Sequence, residues 1–367
     1  MTPPAKSKFL SDGPLDELIR DAVESAWGSF ATFDNEAHFK FELFHRLAQR
    51  TVEGIGLAEV VPGTCTPRLH AEARPQNGKN TRERADLLIC DPLQRMQFNY
   101  RPLVLLELKH SLSQRELEIE IEKARAYTPC PERMYVISAL PTPRFRQQDA
   151  EATAARAPFP VTVLSPNWTT SAGSHEYARQ GEEPTFEKLN AAFDAALDKA
   201  LSHYGNTSQN RTHAFYWRNY QNEQATWTFP SESDFVAHLY HQLRIAVPAA
   251  RLHVERPVDG TRGTTDLVLE CQPEGRIAVE VKMNWNQFEK KKEDENLVSK
   301  LGLWRNGTIQ TRSVVVVIQG EYAAGPRQLR DSAYARFKGA AFPLELIRYD
   351  EERCLPIRER LGRAGRS

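Results

Sequence analysis

Two short segments of this chain each place two carboxylates and a lysine where one chemistry could use them. The first is RADLLIC, 84–90, followed by PLVLLELKH, 102–110. The second is TTDLVLE, 264–270, followed by RIAVEVKMN, 276–284. Each is an aspartate-bearing stretch, then an apolar run interrupted by Glu-x-Lys. An apolar strand does not hold a carboxylate and an ammonium without compensation, because burying either charge is costly. Residues i and i+2 of a strand share a face. Glu107 and Lys109 therefore project together with Leu106 and Leu108 behind them, as Glu280 and Lys282 do with Val279 and Val281 behind. Asp86 and Asp266 lie just upstream and can pair alongside. Paired carboxylates suit a hard cation such as Mg²⁺, which takes oxygen ligands and keeps several waters. A water so held has a lowered pKa and is a nucleophile at neutral pH. The lysine can orient that water or offset charge building on a phosphodiester.

A lone Glu-x-Lys says little. A third, Glu289 and Lys291 in QFEKKKEDEN, reads as a solvated helix face. The pairs at 107 and 280 differ in their apolar setting, in the aspartate before them and in their duplicated frame. RLHAEARP at 68–75 matches RLHVERP at 251–257, an offset of 183. Pro143 and Pro326, and APFPVTVL at 157–164 with AAFPLELI at 340–347, keep that offset. HFKFELFHRL at 38–47 resembles DFVAHLYHQL at 234–243, offset 196, while the aspartates stand 180 apart and the glutamates 173. The first copy therefore has longer connections, and such differences cost little. Two repeats of this length make two domains, not a solenoid.

The elements that must position these residues follow from periodicity. The 367 residues suit two domains, and 40% hydrophobic with 26% charged residues is the composition of a soluble globular protein. No apolar run of about 18 residues predicts a membrane span. The segment MTPPAKSKFLSDG has no apolar core of a secretory signal. Five cysteines without a CxxC pair point to a reducing compartment, with each cysteine a packing residue. Each half reads helix, strand, strand, strand, helix, strand, helix, strand. In the first, a helix over 35–49 carries the stripe Phe39, Leu43, Leu47, with Asp34 or Asn35 as cap. Strands LHAEA, ADLLIC and LVLLELK, a charged helix over 113–127, and strands RMYVISAL and PVTVL follow. The second half repeats this with a helix at 232–244, strands LHVERP, TDLVLE and IAVEVKM, a helix near 286–303, then SVVVVIQ and PLELIRY. Leading helices, DELIRDAVESAW and FEKLNAAFDAALDKAL, precede each. The expected domains are 1–169 and 184–367, joined by a Ser-, Gly- and charge-rich linker at 170–183.

An aspartate strand, a Glu-x-Lys strand, a helix and a further apolar strand form the layout of the PD-(D/E)XK nuclease superfamily. The chain resembles two such units in tandem, covering nearly all of it. The proline that names the motif precedes neither aspartate. The resemblance implies an α/β fold of two restriction-endonuclease-like domains, each a central mixed sheet flanked by helices. It implies hydrolysis of DNA phosphodiesters with Mg²⁺, or Mn²⁺, as cofactor. Carried onto this sequence, Asp86, Glu107 and Lys109 form one site, and Asp266, Glu280 and Lys282 the other. Family members often add a helix glutamate as a metal ligand. Glu42 matches that place, but His238 stands at its counterpart.

Glu72 and Glu255 match on the first strand, and two readings stand: further metal ligands, or outward-facing strand residues. His70 and His253 also match and read as structural. The 48 basic and 48 acidic residues exclude a globally basic nucleic-acid coat but leave room for a local groove. Arg74, Lys79, Arg82 and Arg84 lead into Asp86, and Arg256 and Arg262 into Asp266, as candidate phosphate contacts. Arg353, Arg358, Arg360, Arg363 and Arg366 read as a solvated tail. The expectation is a cytoplasmic tandem endonuclease acting as a single-chain pseudo-dimer, with restriction or phage defence as a plausible setting and no membrane partner. The alternatives are a regulatory or nucleic-acid-binding protein that lost catalysis, and a chain with one active half.

Overall fold

The computed structural model describes residues 14–29, 35–52, 55–57, 68–72, 85–96, 99–125, 127, 130–140, 147–166, 182–209, 232–259, 261, 263–271, 275–284, 293–305, 309–319, 327–350 and 355–362. The chain divides into two compact units, Met1–Ala178 and Arg179–Ser367. The fold is mixed α/β, with a mixed sheet in each unit.

In the first unit, helices α1 (Pro14–Ser29) and α2 (Glu36–Ala48) precede a small hairpin, β1 (Thr51–Val52) and β2 (Ile55–Gly56). There follow β3 (Arg68–Ala71), β4 (Leu87–Met96), β5 (Asn99–Lys109), α3 (Gln114–Arg125), β6 (Arg133–Ser138), α4 (Gln147–Ala154) and β7 (Val161–Leu164). The sheet order is β3-β4-β5-β6-β7. The first three strands pair antiparallel, and β6 and β7 join parallel. Parallel neighbours need crossovers, which α3 and α4 supply. Helix α2 starts where Asn35 Oδ1 accepts the His38 amide at 2.7 Å, satisfying one orphan donor of the first turn. Its stripe Phe39, Leu43 and Leu47 is fully buried. Strand β5 lies between β4 and β6, and both its faces are covered: Leu105 on one and Leu106 and Leu108 on the other are buried. Each such side chain contributes roughly 1.5–3 kcal/mol.

The second unit holds α5 (Phe186–Gln209), α6 (Glu232–Ala246), β8 (Arg251–Pro257), β9 (Thr264–Cys271), β10 (Gly275–Asn284), α7 (Glu293–Leu303), β11 (Gln310–Gln319), α8 (Arg327–Lys338), β12 (Leu344–Asp350) and β13 (Leu355–Leu361). Strands β8 to β12 repeat the directions of β3 to β7, and β13 adds antiparallel to β12. That strand corrects the reading of Arg358 as part of a solvated tail, while Arg360 on the same strand is exposed. Arg358 is 2.5 Å from Asp194 and 2.7 Å from Asp198, tying β13 to α5. The run LPIRERL is dense in charge, but Leu361 is buried. Gly362 closes the strand with a φ of +81°, and a Cβ there would stand 2.0 Å from the Phe342 carbonyl oxygen. Arg353, Arg363 and Arg366 lie outside the described residues, as do Glu289 and Lys291.

Both units dock their leading helix the same way. Arg133 on β6 meets Asp16 of α1 at 2.7 Å, with Tyr135 also donating to Asp16. Arg312 on β11 meets Asp194 of α5 at 2.8 Å and Glu345 of β12 at 2.6 Å. No described helix is long and apolar enough to cross a membrane.

Candidate functional site

In the first unit the site lies where β5 emerges between β4 and α2. Asp86 stands at the bend just before β4, and its Oδ2 accepts the amide of Leu108 at 2.8 Å. That amide sits between Glu107 and Lys109, so one backbone bond holds the aspartate against the Glu-x-Lys pair. Glu36, in the first turn of α2, reaches the same point, its Oε2 accepting the His110 amide at 3.3 Å. Glu120 of α3 arrives from another side, 3.1 Å from Lys109 Nζ and 2.8 Å from Lys123 Nζ. Glu107 is 2% exposed, and its Oε1 has no hydrogen-bond partner. Burial first, and then the neighbouring Asp86 and Glu120 carboxylates, push its carboxyl well above the usual range; Lys109 offsets this only in part. Glu36 is raised by burial and Asp86, against Lys109. For Lys109, burial favours the neutral amine, but Asp86, Glu120, Glu36 and Glu107 outweigh it and hold the ammonium. A lysine so held can stabilise negative charge or orient a water; it is a poor general base.

The second unit repeats the frame. Asp266, inside β9, accepts the Val281 amide through Oδ2 at 2.7 Å. Glu232, in the first turn of α6, accepts the Met283 amide at 3.3 Å and lies 3.7 Å from Lys282 Nζ. Glu280 is 1% exposed. Here a second lysine enters: Lys300 of α7 places Nζ 2.6 Å from Glu280 Oε1 and donates to the Thr264 carbonyl at 2.6 Å. Burial and Asp266 still push Glu280 up to about 8, against Lys300 and Lys282.

The helix carboxylate that joins each site is thus Glu36 or Glu232, and Glu42 has a different setting. Glu42, about 1.7 turns beyond Glu36 along α2, is fully buried and pairs with Arg46 at 2.8 Å. Glu36 and Glu232 stand 196 apart, the offset of the helix repeat itself, and that register was the available signal. His238, the counterpart of Glu42, therefore removes no carboxylate from the second site.

Glu72 and Glu255 both have a φ of +48°. Each faces its unit's aspartate across the β3–β4 or β8–β9 ladder, and the Glu72 amide donates to the Asp86 carbonyl at 3.0 Å. Left-handed backbone costs a residue with a Cβ about 1–2 kcal/mol. Glu72 also pairs with the buried Lys40 at 2.7 Å. Glu255→Gly should therefore relieve about 1 kcal/mol of backbone strain, set against the side-chain interactions of Glu255 that glycine gives up. Glu72→Gly should gain less or lose, because Lys40 is deprived of its carboxylate. Equal gains at both positions would refute the role given to the Lys40 pair.

His70 is buried, and His253 lies 3.4 Å from Glu270, away from the Glu-x-Lys pair. Arg256 is engaged within its unit, 2.8 Å from Glu270 and 5.3 Å over the Trp304 ring, so a phosphate would compete with Glu270 for it. Arg74, Lys79, Arg82, Arg84 and Arg262 lie outside the described residues. Burial raises Glu270, but His253 and Arg256 outweigh it and bring the carboxyl down to about 2 from 4.5. A lowered carboxylate stabilises the fold above its unfolded value and loses that contribution as the pH falls through 4.5 toward 2. Glu270→Gln should cost about 2–3 kcal/mol at pH 7. Urea midpoints should converge with wild type as the pH falls below 4.5; a gap independent of pH would refute the ion-pair account.

Among the described residues, no three His, Cys, Asp or Glu side chains already stand as a metal-ligating group. The donor chemistry of the first unit nonetheless suits a divalent cation: hard oxygens from several carboxylates, one of them buried with an orphaned oxygen. Set against known protein families, characterised proteins and solved structures, the chain matches none.

Proposed function

We propose that this chain is a metal-dependent nuclease hydrolysing phosphodiester bonds in DNA, with its centre at Asp86, Glu107 and Lys109. The observation that carries this reading is Glu107: a buried carboxylate with an unpartnered oxygen, crowded by Asp86 and Glu120, beside a lysine held as ammonium. Like charges gathered in a buried place destabilise the apoprotein, and a site that tolerates them is one that a cation relieves. The reading is further supported by the bonds that hold Asp86 at the Leu108 amide and Glu36 at the His110 amide, beside the Glu-x-Lys pair.

Asp86, Glu107 and Glu36 would hold Mg²⁺ or Mn²⁺. When bound, the cation supplies a water of lowered pKa and neutralises charge on the phosphoryl oxygens. The chain's own groups do the rest. The Leu108 amide fixes Asp86, so the aspartate does not turn away when its neighbours move. Lys109, held between Glu120 and Glu36, keeps a positive charge at the end of β5, where it can orient the attacking water or the scissile phosphate. The surrounding apolar strand excludes bulk water from Glu107 and strengthens each of these interactions.

The test is incubation of the full chain with supercoiled and linear DNA, with Mg²⁺, with Mn²⁺, with Ca²⁺ and with excess chelator. Cleavage is expected with Mg²⁺ and Mn²⁺. Ca²⁺, with looser coordination, should support binding better than cleavage. Full activity in chelator, or no activity under any condition, would overturn the reading.

A further inference from the structure

The two sites share a frame but not their charge, and the difference is one helix position. Helices α3 and α7 both follow the Glu-x-Lys strand. Their inward residues are Leu117, Ile121 and Ala124 in the first and Leu297 and Leu301, with Trp304 in the turn just after the helix, in the second, all buried. The two sets match at an offset of 180, which is also the separation of Asp86 and Asp266. That register sets Glu120 opposite Lys300. An acid in the first unit is replaced by a base in the second, at the position where each helix reaches the site.

The consequences appear in the pairing. In the first unit Glu120 draws Lys109 to 3.1 Å and pairs with Lys123 at 2.8 Å, so these ammoniums are directed to Glu120. Four carboxylates, Glu36, Asp86, Glu107 and Glu120, face two lysines, Lys109 within the group and Lys123 at its Glu120 edge. In the second unit Lys282 sits toward Glu232, and Lys300 sets its ammonium 2.6 Å from Glu280. Three carboxylates face two lysines. Lys300 is also fixed by the Thr264 carbonyl at the start of the strand that carries Asp266, so it is part of the site and not a passing surface charge. Its side chain is 17% exposed.

We infer that Lys300 occupies the place of a cation in the second unit, so that the chain binds one divalent metal ion, in the first unit, and not two. The ion's identity rests on the nuclease reading; the role of Lys300 does not. An ammonium and a divalent cation cannot share Glu280 without repelling one another. The second unit is then a preformed copy whose Glu280 is already paired, one charge reversal away from the pattern of the first.

The test counts metal ions without relying on catalysis. Mn²⁺ is titrated into the full-length protein by calorimetry, with free Mn²⁺ followed by electron paramagnetic resonance. Wild type should bind one Mn²⁺ per chain, and Glu107→Gln should weaken it at least tenfold. Lys300→Glu, which restores the acid of the first unit, should raise the count to two, and adding Glu280→Gln should return it to one. Because a new acid beside Glu280 strains the apoprotein, Lys300→Met serves as the milder variant. It should admit a second, weaker Mn²⁺, with circular dichroism and a cooperative melt confirming the fold. Two Mn²⁺ per wild-type chain would overturn the inference, as would one per chain in both folded Lys300 variants. No Mn²⁺ in wild type but one in Lys300→Glu would sink the first-unit centre while upholding the role of Lys300. No binding in any variant would sink both.

Discussion

Glu107→Gln should end Mg²⁺-dependent DNA cleavage while leaving the metal-free protein no less stable than wild type. A cation in such a site supplies several kcal/mol of charge stabilisation, and losing it corresponds to about a 10³-fold fall in rate or more. The substitution keeps shape and volume, so packing of β5 against β4 and β6 is preserved. The amide offers a donor toward the neighbouring Asp86 that the carboxylate lacks. The stability effect has a definite sign. A carboxyl raised above its unfolded value of 4.5 removes stability as the pH climbs from that value toward its folded one. Glutamine does not titrate, so the variant should gain on wild type as the pH rises above 4.5 in melts with chelator present. Cleavage at the wild-type rate would exclude Glu107 from the chemistry. A melt that falls by many degrees at pH 8 would exclude the account of its crowding.

Lys109→Ala and Lys282→Ala should differ sharply on supercoiled plasmid. Lys109 is the charge that remains at the first site when its carboxylates are engaged, and removing such a group typically costs about 10²–10³-fold. Lys282 serves a unit whose Glu280 is already matched by Lys300, so its loss should change cleavage by no more than about threefold. The product of wild type should then be nicked circles before linear DNA, since one centre per chain cuts one strand per encounter. A symmetric pseudo-dimer predicts the opposite: direct linearisation, with each lysine variant converting cutting to nicking on one strand. A strand-resolved gel of both variants separates these outcomes.

Much of this molecule is written locally. The helix stripe Phe39, Leu43, Leu47 and its Asn35 cap, and the apolar runs around Glu107 and Glu280, follow from periods of 3.6 and 2 that need no knowledge of the rest of the chain. The pairing of Asp86 with the Glu-x-Lys strand was readable too, because β4 and β5 are neighbours in sequence as well as in the sheet. What escaped local reading depends on which helix turn meets which strand end. Glu36 and Glu42 are equally acidic and six residues apart, and only docking of α2 decides that Glu36 reaches the His110 amide while Glu42 is spent on Arg46. Strand β13 was hidden because its charges are matched by Asp194 and Asp198, more than 150 residues upstream.

The sequence by itself determined that two units share one arrangement of Asp, Glu and Lys, since composition and repeat offset suffice for that. Only the tertiary structure decided that the two arrangements are electrostatically unequal. Glu120 and Lys300 sit on surface-like charged helices, where any single charge looks like solvation. Their meaning comes from the 3.1 Å between Glu120 and the half-buried Lys109 in one unit and the 2.6 Å between Lys300 and the buried Glu280 in the other. Charge acts through distance and dielectric, and neither exists until the helix has packed on the sheet.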